Sequence, residues 1–91
     1  MDGRRLALGQ KEKLILKLKS NPRTFTFDDA ETLLGYFTYT RSNKGKTSGS
    51  RVMFISDTNG CILLHKPHPR KELLEYQVKQ LLDKLEQEGL I

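Results

Sequence analysis

The two histidines of the chain, His65 and His68, lie three positions apart in the stretch 65–69, which reads HKPHP. The unperturbed pKa of histidine lies nearest to neutrality, so two neighbouring histidines can act as general acid and general base without a metal ion. Upstream, the basic glycine-containing loop 43–49 leads into a strand-like segment that begins near Arg51. Because these surroundings are basic, a phosphodiester is the natural substrate. The pattern therefore points to RNA, which the protein would either cleave or only bind.

Each of these three residues has a chemical role and an ordinary structural alternative. As a general acid or base, His68 would serve attack of a 2′-hydroxyl on the adjacent phosphate, typically a rate factor of about 10²–10⁴; otherwise it is a turn histidine. Arg51 can clamp two phosphate oxygens and stabilise a pentacoordinate transition state, or it is an exposed strand arginine. His65 is either catalytic or a partly buried structural histidine of its strand.

Further polar residues are candidate RNA contacts, namely Lys44, Lys46, Ser50 and Lys66. Such lysines contact the phosphate backbone, although each one also fits an ordinary solvated surface. Tyr39 can stack on a base or pack within the sheet. The sequence GKT at 45–47 resembles the end of a P-loop, but Thr40 occupies the upstream glycine position and a strand follows. We therefore do not predict nucleotide binding.

Composition narrows the class of protein. The 91 residues suffice for one domain with a single core, and the hydrophobic fraction of 36% predicts that this core is thin. The 16 Lys and Arg residues outnumber the 11 Asp and Glu residues, which gives a net charge of +5. This balance favours an anionic partner, either a nucleic acid or an acidic protein.

The cysteine count and the hydropathy pattern exclude further classes of protein. Cys61 is the single cysteine, which excludes an intrachain disulfide, and one cysteine with two histidines falls short of a zinc-ligand set. We therefore expect neither a metal ion nor a small-molecule cofactor. No apolar run approaches the length of a membrane span, and the first five residues lead into no signal-peptide core. The expected compartment is a reducing cytoplasm, without a membrane partner.

Hydrophobic periodicity predicts helices over residues 11–19, about 29–35, and 76–88. For the second helix we predict a capping box, with Asp28 as the N-cap and Glu31 three residues later. The third helix carries a leucine stripe, places Gln77 on its solvent side and ends at Gly89. That stripe is core rather than a site.

Alternating side chains predict strands over residues 36–42, 51–57 and 61–66. The Asn-Gly pair at 59–60 is the strongest hairpin signal in the chain. A two-residue turn there pairs Arg51 with His68 and puts Lys66 on the same face, while His65 lies on the opposite face. A three-residue turn that starts one residue earlier shifts the pairing by one and exchanges the faces. Turn chemistry favours the first register.

The predicted order is helix, helix, three antiparallel strands and helix, an α+β fold in one domain, residues 1–91. Residues 1–10 are a loose leader, residues 11–20 an additional N-terminal helix, and residues 28–91 an α-β-β-β-α core. A three-stranded sheet needs a helix layer on one face and leaves the other face open. This is the architecture of double-stranded-RNA-binding domains, which read duplex shape through phosphate and 2′-hydroxyl contacts.

Three motifs together resemble a known family. The stretches GSRVMF at 49–54, HKPHP at 65–69 and YQVK at 76–79 are similar to those of HicA, the toxin of bacterial HicAB toxin–antitoxin modules. The resemblance spans roughly residues 28–91, and the helix over 11–19 looks like an N-terminal addition found in one branch of the family. The Gly-Ser dipeptide alone is a weak signal, whereas its combination with the other two motifs is fairly specific.

The resemblance implies an endoribonuclease toxin that cleaves mRNA, has a double-stranded-RNA-binding-like fold and is held inactive by a HicB-like antitoxin protein. Family members commonly carry their catalytic histidine directly after Gly-Ser, and Arg51 occupies that position here. Either catalysis lies with His65 or His68, or the protein binds RNA without cleaving it. We favour a metal-independent ribonuclease; the alternative is a non-catalytic RNA-binding module of the same fold.

Overall fold

The computed structural model describes residues 9–20, 22–42 and 51–91. In these residues the expected α+β class is confirmed, with three α-helices and one antiparallel sheet of three strands in the order β1-β2-β3. No helix within these ranges is long and apolar enough to cross a bilayer. The helices are α1 (Gln10–Ser20), α2 (Phe27–Tyr36) and α3 (Glu75–Gln87), and the strands are β1 (Thr40–Arg41), β2 (Arg51–Ser56) and β3 (Gly60–His65).

The core lies between the helices and one face of the sheet. Helix α1 contributes Leu14 and Leu18, so the additional N-terminal helix is part of this core. The stripe predicted for α3 is buried except for the half-buried Leu82, and Gly89 ends the helix with a φ of +73°. The other buried apolar side chains are Phe25, Phe27, Ala30, Leu33, Leu34, Phe37, Tyr39, Phe54, Ile62, Leu64 and Leu73.

Helix α2 begins earlier than the sequence indicated. Its N-cap is Thr26, whose Oγ1 accepts a hydrogen bond from the Asp29 N–H at 3.0 Å, while the Asp29 carboxylate accepts one from the Thr26 N–H at 3.1 Å. The predicted capping box of Asp28 and Glu31 is therefore wrong. Both boxes satisfy the same pattern of spacing, but only the observed one puts Phe27 inside the helix with its ring buried.

Asp29 also joins α2 to α1. Its carboxylate accepts a hydrogen bond from the Lys17 ammonium at 2.7 Å, an ion pair between the two helices. Partial burial raises the pKa of Asp29, but the hydrogen bonds from Lys17 and Thr26 together with the Lys17 charge outweigh burial, so this pKa lies below its ordinary value. The charged carboxylate is thus the form that the native fold stabilises.

The first strand is shorter than residues 36–42, the predicted range. Helix α2 continues through Tyr36, and Thr38 then takes a left-handed conformation with a φ of +69°, so the extended backbone starts only at Thr40. Tyr39 is buried, and its hydroxyl donates a hydrogen bond to the Asn59 carbonyl at 3.0 Å. Of the two roles predicted for Tyr39, packing is the one that the structure supports, since a buried ring cannot stack on a base.

The register of the β2–β3 hairpin differs from the favoured prediction by three residues. Ser56 pairs with Gly60 across a three-residue turn, and Arg51 pairs with His65 rather than with His68. A two-residue type I′ turn at Asn59 and Gly60 would need positive φ at both positions, but of these two only Gly60, at +79°, has it. Because three is an odd shift, every side chain of β3 moves to the face opposite to the predicted one.

Ser56 explains why the longer turn is stable. Its buried hydroxyl accepts hydrogen bonds from the backbone N–H groups of Thr58 at 3.3 Å and Asn59 at 3.2 Å, and it contacts the Thr38 hydroxyl at 3.1 Å. These bonds give the backbone N–H groups of the turn a hydrogen-bond acceptor from inside the fold. The observed register also puts Phe54, Ile62 and Leu64 on the buried face, which the predicted register would have divided between both faces.

The segment before α2 runs antiparallel to the segment before α3. The Phe27 N–H donates a hydrogen bond to the Lys71 carbonyl at 3.1 Å, and the Leu73 N–H donates one to the Phe25 carbonyl at 2.9 Å. Leu73 is buried and anchors this contact in the core. The loop that carries His68 is consequently held at one end by β3 and at the other end beside the start of α2.

We expect Asp29→Ala to lower the free energy of unfolding by about 1–2 kcal/mol, because it removes half of the capping box and the Lys17 ion pair. A lowered native pKa stabilises the fold above about pH 4 and loses that contribution as the pH falls through the native pKa. The difference from wild type in urea denaturation should therefore shrink at acid pH. Asp28→Ala, which removes an exposed carboxylate from the same helical turn, is the control and should cost less. Equal losses for the two variants at pH 7 would contradict the assignment.

The turn geometry predicts opposite effects for two glycine-to-alanine substitutions. Gly60→Ala should lower the free energy of unfolding by about 1–2 kcal/mol, because a side chain at positive φ is strained. Gly35→Ala should raise it by about 0.5–1 kcal/mol, because Gly35 lies in helix α2 with open space around its Cα. Thermal denaturation of both variants measures the two changes in the free energy of unfolding. A neutral Gly60→Ala would contradict the positive φ of Gly60 in this turn.

Candidate functional site

Arg51 and His65 lie directly opposite each other on neighbouring antiparallel strands. They are paired at the ends of β2 and β3, and both side chains are exposed on the face of the sheet away from the core. The prediction that His65 is partly buried beside Phe54 is therefore wrong, since Phe54 lies on the buried face. The corrected register thus joins the candidate phosphate clamp to His65 instead of to His68.

Both histidines line one shallow depression of about 240 Å³ where β3 ends. Its other walls come from the loop that follows β3 and from the start of α3. His68 is exposed, as the prolines on either side of it predicted. The depression therefore brings both candidate acid–base groups to one place, although they do not share a strand. Its lining residues are His65, Pro67, His68, Arg70, Leu74, Tyr76 and Gln77.

Gln77 ties the strand that carries His65 to helix α3. Its side-chain amide donates a hydrogen bond to the His65 carbonyl at 2.6 Å and accepts one from the Leu74 N–H at 2.9 Å. Only 4% of Gln77 is exposed, so the prediction that it lies on the solvent side of α3 is wrong. A buried amide with both ends satisfied sets the distance between the end of β3 and the first turn of α3.

A second depression, of about 290 Å³, lies on the other side of the loop that carries His68. It is bounded by the first turn of α2 and by the side chains of Lys66, Arg70 and Lys71, with the Asp28 carboxylate at its edge. Arg70 is held in part by a hydrogen bond from its Nε to the Glu72 carbonyl at 3.0 Å. His68 thus stands between the two depressions and beside a cluster of cations.

Lys66 lies elsewhere than predicted. Its ammonium is 5.6 Å from the centre of the Phe27 ring, and the guanidinium of Arg41 is 5.8 Å from the same ring. Both cations are therefore on the side of the sheet that the helices cover, where they can interact with the aromatic face. The expectation that Lys66 shares a face with Arg51 is wrong, for the same reason of register. Lys66 remains exposed and borders the second depression.

Three of the candidate RNA contacts, Lys44, Lys46 and Ser50, lie outside the described residues. The P-loop-like sequence at 45–47 also lies outside them. Among the described residues, no three His, Cys, Asp or Glu side chains are grouped so that they could hold a metal ion. The candidate site therefore consists of the two histidines, Arg51 and the basic residues around them.

The open face of the sheet carries exposed apolar side chains. Leu63 is 51% exposed and Ile55 is 37% exposed, next to the half-buried Met53 and the exposed Cys61. These residues alternate with the buried ones along β2 and β3, so they form a continuous apolar area beside Arg51. Once the register is known, the two-residue periodicity of the strands identifies the residues of this face. Without the register, it is open which alternate side chains of β3 share a face with the buried Phe54.

Sequence reasoning missed Arg70, Tyr76 and Gln77 as parts of the site. Arg70 follows the second proline directly, which is a usable signal for a residue near His68. Tyr76 and Gln77 belong to the YQVK stretch, but their helical spacing alone indicates only that they lie outside the leucine stripe of α3. Only the tertiary contact between the start of α3 and the end of β3 reveals their position.

No family model, no curated protein and no solved structure matches the chain.

We expect Gln77→Ala to lower the free energy of unfolding by about 1–3 kcal/mol, because it leaves a strand-end carbonyl and a helix N–H without their buried partner. The control is Gln80→Ala, on the exposed side of the same helix, which should change stability by less than about 0.5 kcal/mol. Urea denaturation gives the energies, and the carbonyl carbon resonance of His65 and the amide proton resonance of Leu74 should shift only in the Gln77 variant. Equal stabilities for the two variants would show that the amide does not fix this junction.

Proposed function

We propose that this protein is a HicA-like toxin, a metal-independent endoribonuclease that cleaves mRNA in the cytoplasm and is held inactive by a HicB-like antitoxin. The observation that carries the proposal is the pairing of Arg51 with His65 on the open sheet face, beside a depression that His68 also lines. An arginine and two histidines supply the phosphate clamp, the base and the acid that cleavage of RNA requires.

We infer that the fold is that of a double-stranded-RNA-binding domain. From α2 to α3 the order of elements is α-β-β-β-α, with the core on one face of the sheet and the pair Arg51 and His65 on the other. This order supports a double-stranded-RNA-binding-like fold, with α1 packed on it as an addition. Domains of such a fold contact the phosphates and 2′-hydroxyls of RNA.

The proposed reaction is an in-line transfer at phosphorus. One histidine removes the proton of the 2′-hydroxyl, the 2′-oxygen forms a bond to phosphorus, and the bond from phosphorus to the 5′-oxygen breaks. The other histidine gives a proton to that leaving oxygen. The products are a 2′,3′-cyclic phosphate and a 5′-hydroxyl. Arg51 stabilises the additional negative charge on the equatorial oxygens while phosphorus is pentacoordinate.

The charges around the site support RNA as the substrate. Lys66, Arg70 and Lys71 surround the loop that carries His68, and the whole chain has a net charge of +5. Contacts between these side chains and phosphates release counterions, so affinity for RNA should decrease with salt. Lys44, Lys46 and Ser50, in the basic segment that precedes β2, are proposed as further backbone contacts.

The open sheet face supports the proposed antitoxin. Leu63 and Ile55 expose apolar surface directly beside Arg51, and an area of this kind on a charged protein is typical of a protein interface. A HicB-like protein that covered this face would also block access to the site. An acidic surface on the antitoxin would complement the basic surroundings of the site.

The second candidate function is a non-catalytic RNA-binding module of the same fold. Arg51 favours it, because the family that the chain resembles commonly has a histidine at this position. The two functions share the basic surface and differ only in whether a bond is broken.

We expect induction of the wild-type protein in a bacterial host to arrest growth, and co-expression of the neighbouring antitoxin gene to restore it. His65→Ala, His68→Ala and Arg51→Ala should each remove the arrest. Each should also change the free energy of unfolding by less than about 0.5 kcal/mol, because the three side chains are exposed. Arg23→Ala, an exposed arginine outside both depressions, is the control and should remain toxic.

Normal growth at verified soluble expression of the wild type would contradict the toxin and favour the binding module. If His68→Ala alone stayed toxic, catalysis would lie with the pair Arg51 and His65. If His65→Ala alone stayed toxic, catalysis would lie with His68, and the pairing across the hairpin would not be the source of activity.

A further inference from the structure

Tyr76 is an exposed aromatic residue at the site for which the proposed cleavage chemistry has no use. It is the second residue of α3, 57% of it is exposed, and it lines the same depression as both histidines. Exposed tyrosines are common, but this one stands within a basic depression beside the candidate acid and base. Its ring is therefore accessible to a planar group, such as a nucleic-acid base, that enters the depression together with a phosphate.

We propose that Tyr76 is a stacking platform for one unpaired base beside the scissile phosphate, so that the site takes a single-stranded segment of RNA rather than a duplex. This proposal deepens the proposed function and rests on it. Every base has a face that can stack on an aromatic side chain, and such stacking is largely independent of sequence. In a duplex the same faces are covered by neighbouring bases, so only an unpaired base can reach the ring.

The size and lining of the depression support a single base. Its volume of about 240 Å³ lies below the range of about 300–1,000 Å³ that encloses a drug-sized ligand. Pro67 and the 38%-exposed Leu74 form apolar walls, while Arg70 and the histidines are the polar ones. A base stacked on Tyr76, with its phosphate near Arg70 and the histidines, would match this arrangement of apolar and polar walls.

The support of Tyr76 is rigid enough for this role. Tyr76 lies next to Gln77, whose buried amide bonds to the His65 carbonyl, so the backbone that carries Tyr76 and the backbone of His65 meet at one junction. A base stacked on Tyr76 would consequently lie in the same depression as His65. This is the arrangement that a positioning residue requires, because a phosphate must be presented to the acid–base pair in one orientation.

The test uses a single-stranded RNA that carries 2-aminopurine and is 2′-O-methylated throughout, so that it can bind without being cleaved. Stacking on a ring quenches 2-aminopurine fluorescence, and anisotropy of a labelled copy gives the affinity. Wild type and Tyr76→Phe should bind and quench alike. Tyr76→Ala and Tyr76→Leu should lose the quenching that depends on the ring and bind about 5- to 100-fold more weakly. Tyr36→Ala, which removes another exposed tyrosine on α2, is the matched control and should behave as wild type.

The same oligonucleotide annealed to its complement should show no change in fluorescence that depends on Tyr76. Binding of RNA with equal quenching by wild type and Tyr76→Ala would overturn the role of Tyr76 and leave the proposed function standing. Equal Tyr76-dependent quenching with the duplex would overturn the preference for single strands. Absence of any RNA binding by the wild type would overturn the proposed function together with this inference. Ring-dependent quenching in a protein that cleaves no RNA would support the stacking role and remove only the catalytic step.

Discussion

The turn at the tip of the β2–β3 hairpin determines which side chains can form a site. Ser56 holds a three-residue turn from inside the fold, and Gly60 closes it at a positive φ. Any other turn length would slide β3 against β2, and an odd shift would turn His65 towards the core. With the observed turn, Phe54 is buried and His65 stands opposite Arg51 on the open face.

A second constraint brings His68 to the same place. The strand end and the start of α3 are joined by the buried amide of Gln77, and the segments before α2 and α3 are joined by backbone hydrogen bonds. The loop between these two fixed points carries His68, so it has little freedom to move away from His65. The candidate site is thus assembled from a strand pair, which a local turn positions, and from a loop and a helix start, which are positioned by contacts distant in sequence.

The difference between local patterns and contacts that are distant in sequence explains what could be predicted from the sequence. The three helices and the hairpin follow from periodicity and from the Asn-Gly signal, and the α+β class follows from their order. The register could not be predicted, because the choice between turns depends on the contacts of Ser56 with the turn and with Thr38. The cap of α2 was missed because two boxes fit the pattern and only burial of Phe27 distinguishes them. Gln77 was placed in solvent because a polar residue on a helix is usually exposed, and its partner, the His65 carbonyl, lies 12 positions away.

The most direct test of the proposed catalysis is the chemistry of the RNA ends. Purified wild-type protein should be incubated with a defined single-stranded RNA in the presence of EDTA, and the products analysed by mass spectrometry. Two histidines and an arginine predict fragments that end in a 2′,3′-cyclic phosphate or 3′-phosphate and begin with a 5′-hydroxyl, formed without a divalent ion and absent with His65→Ala. Intact RNA, or cleavage that EDTA abolishes and magnesium restores, would contradict the proposed mechanism.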